Sequence, residues 1–155
     1  MRSRFLALLA LSLLAACGDG GKEFDEHLAA GQKLLEQGKY DAALPELQQA
    51  VEQNKDSIDA RVALGRVSMM PYRQSDGTVG ISKASLERAE MNLESAIQGA
   101  PDNIEAQREL ALAYEKLGKQ ADAVKSWTAV RDLAAKDAAH AQIAAEANAA
   151  LERLK

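Results

Sequence analysis

Leu110-Ala111-Leu112-Ala113-Tyr114 and, after three intervening residues, Gly118-Lys119-Gln120-Ala121-Asp122-Ala123 decide how this chain folds. Apolar residues recur at helical spacing on both sides of Gly118, a residue suited to ending a helix in the left-handed conformation. Small residues stand mid-helix at Ala111 and Ala123, and a large one, Trp127, follows one turn after Ala123. The same order occurs twice more. Ala30-Gly31, Leu64-Gly65 and Leu110-Ala111 correspond, as do Ala43, Ala89 and Ala123. Leu47, Leu93 and Trp127 follow four residues later, then Ala50, Ala96 and Val130. Gly31 and Gly65 are 34 residues apart, as are Ala89 and Ala123. Asp56-Ser57-Ile58-Asp59-Ala60 recurs as Asp102-Asn103-Ile104-Glu105-Ala106, a helix-start pattern with an aspartate expected as cap and an acid three residues on. No alternating apolar runs indicate strands, so the chain reads as all-α.

A 34-residue period of paired helices with these small and large positions resembles the tetratricopeptide repeat. The resemblance covers residues 24 to about 137 and also rests on Gly38-Lys39-Tyr40-Asp41-Ala42-Ala43 and on Pro101 at the inter-repeat position. His27, Arg61 and Gln107 stand where that family often has tryptophan. The expected fold is an α-solenoid of three helical hairpins at 24–57, 58–103 and 104–137, closed by a capping helix at 138–155. Gly31 and Ala43 are expected where antiparallel helices approach closely, with Leu47, Leu93 and Trp127 filling the space between repeats. In the last helix Ile143, Ala147, Leu151 and Leu154 share one face. A partner-binding amphipathic helix is the second reading of that segment.

The middle repeat is longer. Gly65 to Ala111 spans 46 residues, which places twelve extra ones at 70–81, where Pro71, Gly77 and Gly80 indicate a loop and Ser82 a helix cap. Two readings stand for this insertion. It is a tolerated loop of small entropic cost, or a functional one whose Tyr72 and Arg73 are candidate contacts.

Outward from the repeats, the N-terminus carries a different signal. Arg2 and Arg4 precede the apolar run Phe5 to Leu14, and Leu14-Ala15-Ala16-Cys17 resembles a bacterial lipoprotein signal. The resemblance implies cleavage after residue 16, a diacylglycerol-modified Cys17, and a short lipidated tether at 17–23. Phe5 to Ala16 is too short for a transmembrane helix, which needs about 20 apolar residues. An ordinary signal-peptidase site is the remaining alternative. Gly18 after the cysteine implies the outer membrane, periplasmic side, with inner-membrane retention as the alternative that Asp19 keeps open. The leader takes Arg2 and Arg4 with it, so the remaining 139 residues carry a formal charge of −6 instead of the −4 of the whole chain. Such a surface repels nucleic acid and anionic headgroups, so membrane attachment is assigned to the lipid.

Catalytic motifs are not readable. His27 and His140 lie at opposite ends of the array, the single cysteine is committed to the anchor, and Met69-Met70 reads as packing. No phosphate loop or nucleophile elbow is present, and no cofactor is expected beyond the covalent lipid. The resemblance to tetratricopeptide proteins implies that the first helix of each repeat lines a concave groove for a partner peptide. That face includes Asp25, Leu28, Gln32 and Leu35, then Asp59, Val62, Arg66 and Met69, then Glu105, Arg108, Leu112 and Glu115. Gln32, Arg66, Met69, Arg108 and Leu112 are the expected partner contacts, with the two arginines as carboxylate seats. Leu28, Ala63, Glu105 and Glu109 stand where the clamp for a C-terminal carboxylate would be, which disfavours that ligand. The expected function is a membrane-anchored adaptor that binds a partner protein during assembly of an envelope complex such as a pilus, secretin, export or outer-membrane machinery. The alternative is a self-associating structural lipoprotein whose partner is another copy.

Overall fold

The computed structural model describes residues 19–73 and 77–155; the leader and Cys17 lie outside the described residues, as do 74–76. Among the described residues seven α-helices follow one another: α1 (Asp19–Glu36), α2 (Tyr40–Gln53), α3 (Ile58–Ser68), α4 (Lys83–Gly99), α5 (Ile104–Leu117), α6 (Gln120–Ala134) and α7 (Ala141–Arg153). They pair as antiparallel hairpins α1–α2, α3–α4 and α5–α6, and α7 packs on α6. The chain has a tetratricopeptide-like α-solenoid fold. Among the described residues no helix is long and apolar enough to cross a membrane.

Each hairpin closes through one notch and one plug. A Cβ built on Gly31 would lie 2.5 Å from Leu47 Cγ, and one on Gly65 would lie 2.6 Å from Leu93 Cγ. Ala111 and Trp127 share the corresponding cluster in the third hairpin. The plugs also reach the next repeat. Leu47 shares a cluster with Ala63, Leu64 and Val67 of α3, and Leu93 with Ala106, Leu110 and Ala113 of α5. Trp127 meets Ala147 and Ala150 of α7 in the same way. Helix α7 therefore occupies the place of a fourth repeat's first helix and covers an end that would otherwise expose its apolar face.

The turns follow from local chemistry. Gly118 takes φ 72°, its N–H donates to the Glu115 carbonyl at 3.0 Å, and the Lys119 N–H donates to the Tyr114 carbonyl at 2.9 Å. That is the paired bonding of a left-handed helix stop, and Gly38 repeats it after α1 with φ 70°. Ser82 caps α4 by accepting from the Ser85 N–H at 3.1 Å. The caps of α3 and α5 lie one residue later than the aspartates expected from sequence. Ser57 Oγ accepts from the Ala60 N–H at 3.2 Å and Asn103 Oδ1 from the Ala106 N–H at 2.9 Å. Asp56 is one position too early to reach those orphan amides, while Asp59 and Glu105 sit in the first turns and favour the positive helix ends.

Two further expectations are corrected. Residues 19–23 are the first turns of α1 and not a flexible tether. Gly20 and Gly21 cost about 1 kcal/mol each relative to alanine, but a helix already nucleated by packing propagates through them. The insertion is not a plain loop, because β1 (Tyr72–Arg73) pairs antiparallel with β2 (Val79–Gly80). Helical periodicity carries no signal for a ladder this short. The hairpin is fastened at its base: the Arg73 N–H donates to Asp41 Oδ1 at 2.6 Å, and the Tyr72 phenol and Ser85 hydroxyl are 2.5 Å apart.

Candidate functional site

The first helices of the repeats stand side by side, with α3 in contact with both α1 and α5. Between them lies a cavity of about 430 Å³. Its apolar lining comes from Leu35 of α1, Tyr40 of α2, Val62 and Ala63 of α3, and Met70 just beyond α3. Its polar lining is Gln32, Glu36, Asp59, Arg66, Asn103 and Glu105. Of the five expected groove contacts, Gln32 and Arg66 line this cavity; Met69, Arg108 and Leu112 do not.

Met69 is only 2% exposed and belongs to the core with Leu86 and Ala89. At 100° per residue it is turned roughly 60–80° from Asp59 and Arg66, and at the end of α3 it meets α4. The adjacent Met70, past the helix end, reaches the cavity in its place. Leu112 is half-buried against the core clusters around α5. Glu36, Tyr40, Met70 and Asn103 escape a reading of first-helix faces because they stand at helix ends or in connections. Only Tyr40, directly after the Gly38-Lys39 stop, carried a local hint that a second-helix residue turns back toward the cavity.

The arginines are not open carboxylate seats. Arg66 Nε donates to Glu109 Oε1 at 3.0 Å, and its Nη2 bonds to Glu105. Arg108 forms a two-pronged pair with Glu146 of α7 at 2.7 and 2.9 Å and a third bond to Glu109 at 3.1 Å. Arg153 of α7 reaches back to Glu115 at 2.7 Å. A chain of ion pairs thus ties α3 to α5 and α5 to α7, while the α1–α3 end of the concave face is left open. The candidate loop contacts are likewise engaged: Tyr72 is half-buried against α4, and the exposed Arg73 donates to the Gly77 carbonyl at 3.3 Å. His27 pairs with Glu46 at 2.7 Å. Among the described residues no cluster of three metal-ligating side chains exists.

Glu109 is the buried member of this network, 3% exposed between two guanidiniums. Burial pushes its carboxyl above the usual glutamate range and outweighs the pull of Arg66 and Arg108 in the other direction. The glutamate therefore adds most stability below its ordinary titration range and loses it as pH rises through the raised folded value. Glu109→Gln keeps an acceptor for Arg66 and removes the titration, and Glu105 and Glu146 still hold the arginines. Thermal melts compared across that window should show wild type losing stability relative to the variant as pH rises, the difference isolating Glu109 from the carboxylates both proteins share. A variant that is markedly less stable than wild type at neutral pH would mean that the ion pairs outweigh burial.

Comparison with known proteins agrees with this architecture. The family described as TPR repeat matches residues 31–69. No curated protein matches the chain. Among solved structures, PcrH from Pseudomonas aeruginosa is 22% identical with a TM-score of 0.68, covering 86% of this chain and 92% of that one. PcrH in complex with the chaperone binding region of PopD superposes with a TM-score of 0.70 at 22% identity, again over 86% and 92%. The TPR2B domain of yeast Sti1, in its complex with pHsp70, is 14% identical with a TM-score of 0.69 over 86% of this chain and 96% of that one. At these identities the likeness is one of fold.

Proposed function

We propose that this chain is a membrane-anchored adaptor that holds a segment of a partner protein in the α1–α3–α5 cavity, at the cell envelope. The observation that carries the proposal is that cavity. It is concave, apolar at its floor and polar at its edge, and it lies on the face left open by the ion-paired α5 and α7. Repeat folds of this kind occur in complex with the chaperone binding region of PopD in PcrH and with pHsp70 in the Sti1 domain. Anchoring rests on the Leu14-Ala15-Ala16-Cys17 motif, and the outer membrane, periplasmic side, on Gly18. Because α1 begins at Asp19, one residue separates Cys17 from the first helix, and a lipidated Cys17 would hold the array directly on the bilayer. The partner is then a component of an envelope assembly within reach of that surface. No catalysis is assigned.

A photo-crosslinking residue at Gln32, with Met91 on the second-helix side as control, tests both halves in isolated membranes. The expected result is a discrete adduct from Gln32 and none from Met91, lost from the membrane fraction when Cys17→Ser is added. Adducts of equal yield at both positions would remove the groove, and a Cys17→Ser protein still sedimenting with membranes would remove the anchor.

A further inference from the structure

The cavity has a charge bias that its apolar floor does not explain. Glu36, Asp59 and Glu105 stand on its edge and Arg66 is the cation among its lining residues. Arg66 is already bonded to Glu105 and Glu109. Glu36 and Asp59, by contrast, are exposed, and their carboxylates form no hydrogen bond or ion pair with any described residue. Glu36 also ends α1, where the helix dipole adds further negative potential. Carboxylates therefore exceed cations at the rim, two of them facing solvent unpaired around an apolar seat formed by Leu35 and Val62.

From this we propose that the cavity takes an apolar peptide side chain flanked by lysine or arginine, and discriminates against acidic segments and free C-terminal carboxylates. The proposal rests on the peptide-groove reading above and specifies its ligand. A peptide ammonium or guanidinium beside Glu36 and Asp59 displaces only water. A peptide carboxylate would have to displace Glu105 or Glu109 from Arg66, exposing one charge to seat another. The asymmetry is one of exchange: the cation gains a partner, and the anion swaps one. Rim contacts of this kind are individually weak and screened by salt, so their role is selection and encounter rate, with the apolar floor supplying the anchor.

The full-length chain in detergent, titrated against labelled amidated peptides, provides the test. The peptides share one leucine–valine core and differ in flanking lysines, glutamines or glutamates; a fourth carries the glutamine flanks and a free C-terminus. The lysine peptide should bind about tenfold tighter than the glutamate peptide at low salt, with the gap closing as salt rises. Glu36→Gln with Asp59→Asn should abolish the preference and leave the helical circular dichroism unchanged. Equal affinity across the peptides overturns charge selection and leaves the groove intact, as Gln32 adducts report separately. Binding by none of the peptides overturns the proposal as well. So does a concentration-dependent dimer, seen by light scattering, that the peptides compete away, since the cavity then belongs to a second copy of this chain.

Discussion

Trp127→Ala is expected to remove about 3–5 kcal/mol of stability, a large share of the roughly 5–15 kcal/mol available to a domain of this size. The indole is 1% exposed and shares its cluster with Ala111, Val130, Ala147 and Ala150, so it joins α5, α6 and α7 at once. Ala111, Ala147 and Ala150 of its cluster have no side-chain length with which to fill the void. Its Nε1–H donates to Glu115 Oε1 at 2.6 Å, and the same carboxylate accepts from Arg153 of α7. Loss of the ring should therefore loosen α7 first. Denaturant melts by circular dichroism should show a lower midpoint, and limited proteolysis should cut at α7 before the repeats. Trp127→Phe should cost less, because it keeps most of the volume and gives up one hydrogen bond. A Trp127→Ala midpoint equal to wild type would mean that α7 does not depend on this plug.

Gly65→Leu is the second large effect, and its cause is the reverse of a cavity. The new Cβ would stand 2.6 Å from Leu93 Cγ and 2.9 Å from its Cδ2, with three more carbons to place beyond it. Leu93 is fully buried in the cluster that joins α4 to α5. Replacing glycine within a helix gains about 1 kcal/mol of propensity, but overpacking costs about 1–3 kcal/mol for modest insertions and more for a whole side chain. The expected outcome is a protein that fails to fold or melts far below wild type. Exchanging the pair, Gly65→Leu with Leu93→Ala, should recover part of the loss, since the total volume is nearly restored. If the double variant is no better than the single one, the clash lies elsewhere in the helix pair.

These two predictions mark how far the chain could be read without its structure. The close approach at Gly31 and the plugs at Leu93 and Trp127 were legible because small and large positions repeat along the chain in the pattern of the tetratricopeptide repeat it resembles. That Gly65 is the notch for Leu93 came from the structure. The stops at Gly38 and Gly118 were legible because a left-handed turn is a property of one residue. The caps slipped by one position, from Asp56 to Ser57 and from Asp102 to Asn103, because several cap-competent residues stand side by side and only backbone geometry selects among them. The start of α1 slipped further, since two glycines argue locally against a helix that packing on α2 sustains.

The candidate site was legible only in outline. Gln32, Val62 and Arg66, placed on the groove face by the resemblance to tetratricopeptide repeats, line the cavity. Met69 was lost to the core because a rotation of less than a quarter turn separates a groove position from a buried one. Arg66 and Arg108 looked like free cations in the sequence. Apart from Glu109 next to Arg108, their partners lie 38 to 43 residues away, and no local pattern announces a pairing at that distance. Local rules of volume and backbone conformation were thus enough to specify the helices, their order and the residues that join them. Which charges are spent holding repeats together, and which remain at the cavity for a partner, depends on contacts between distant parts of the chain, and those exist only once the helices have stacked.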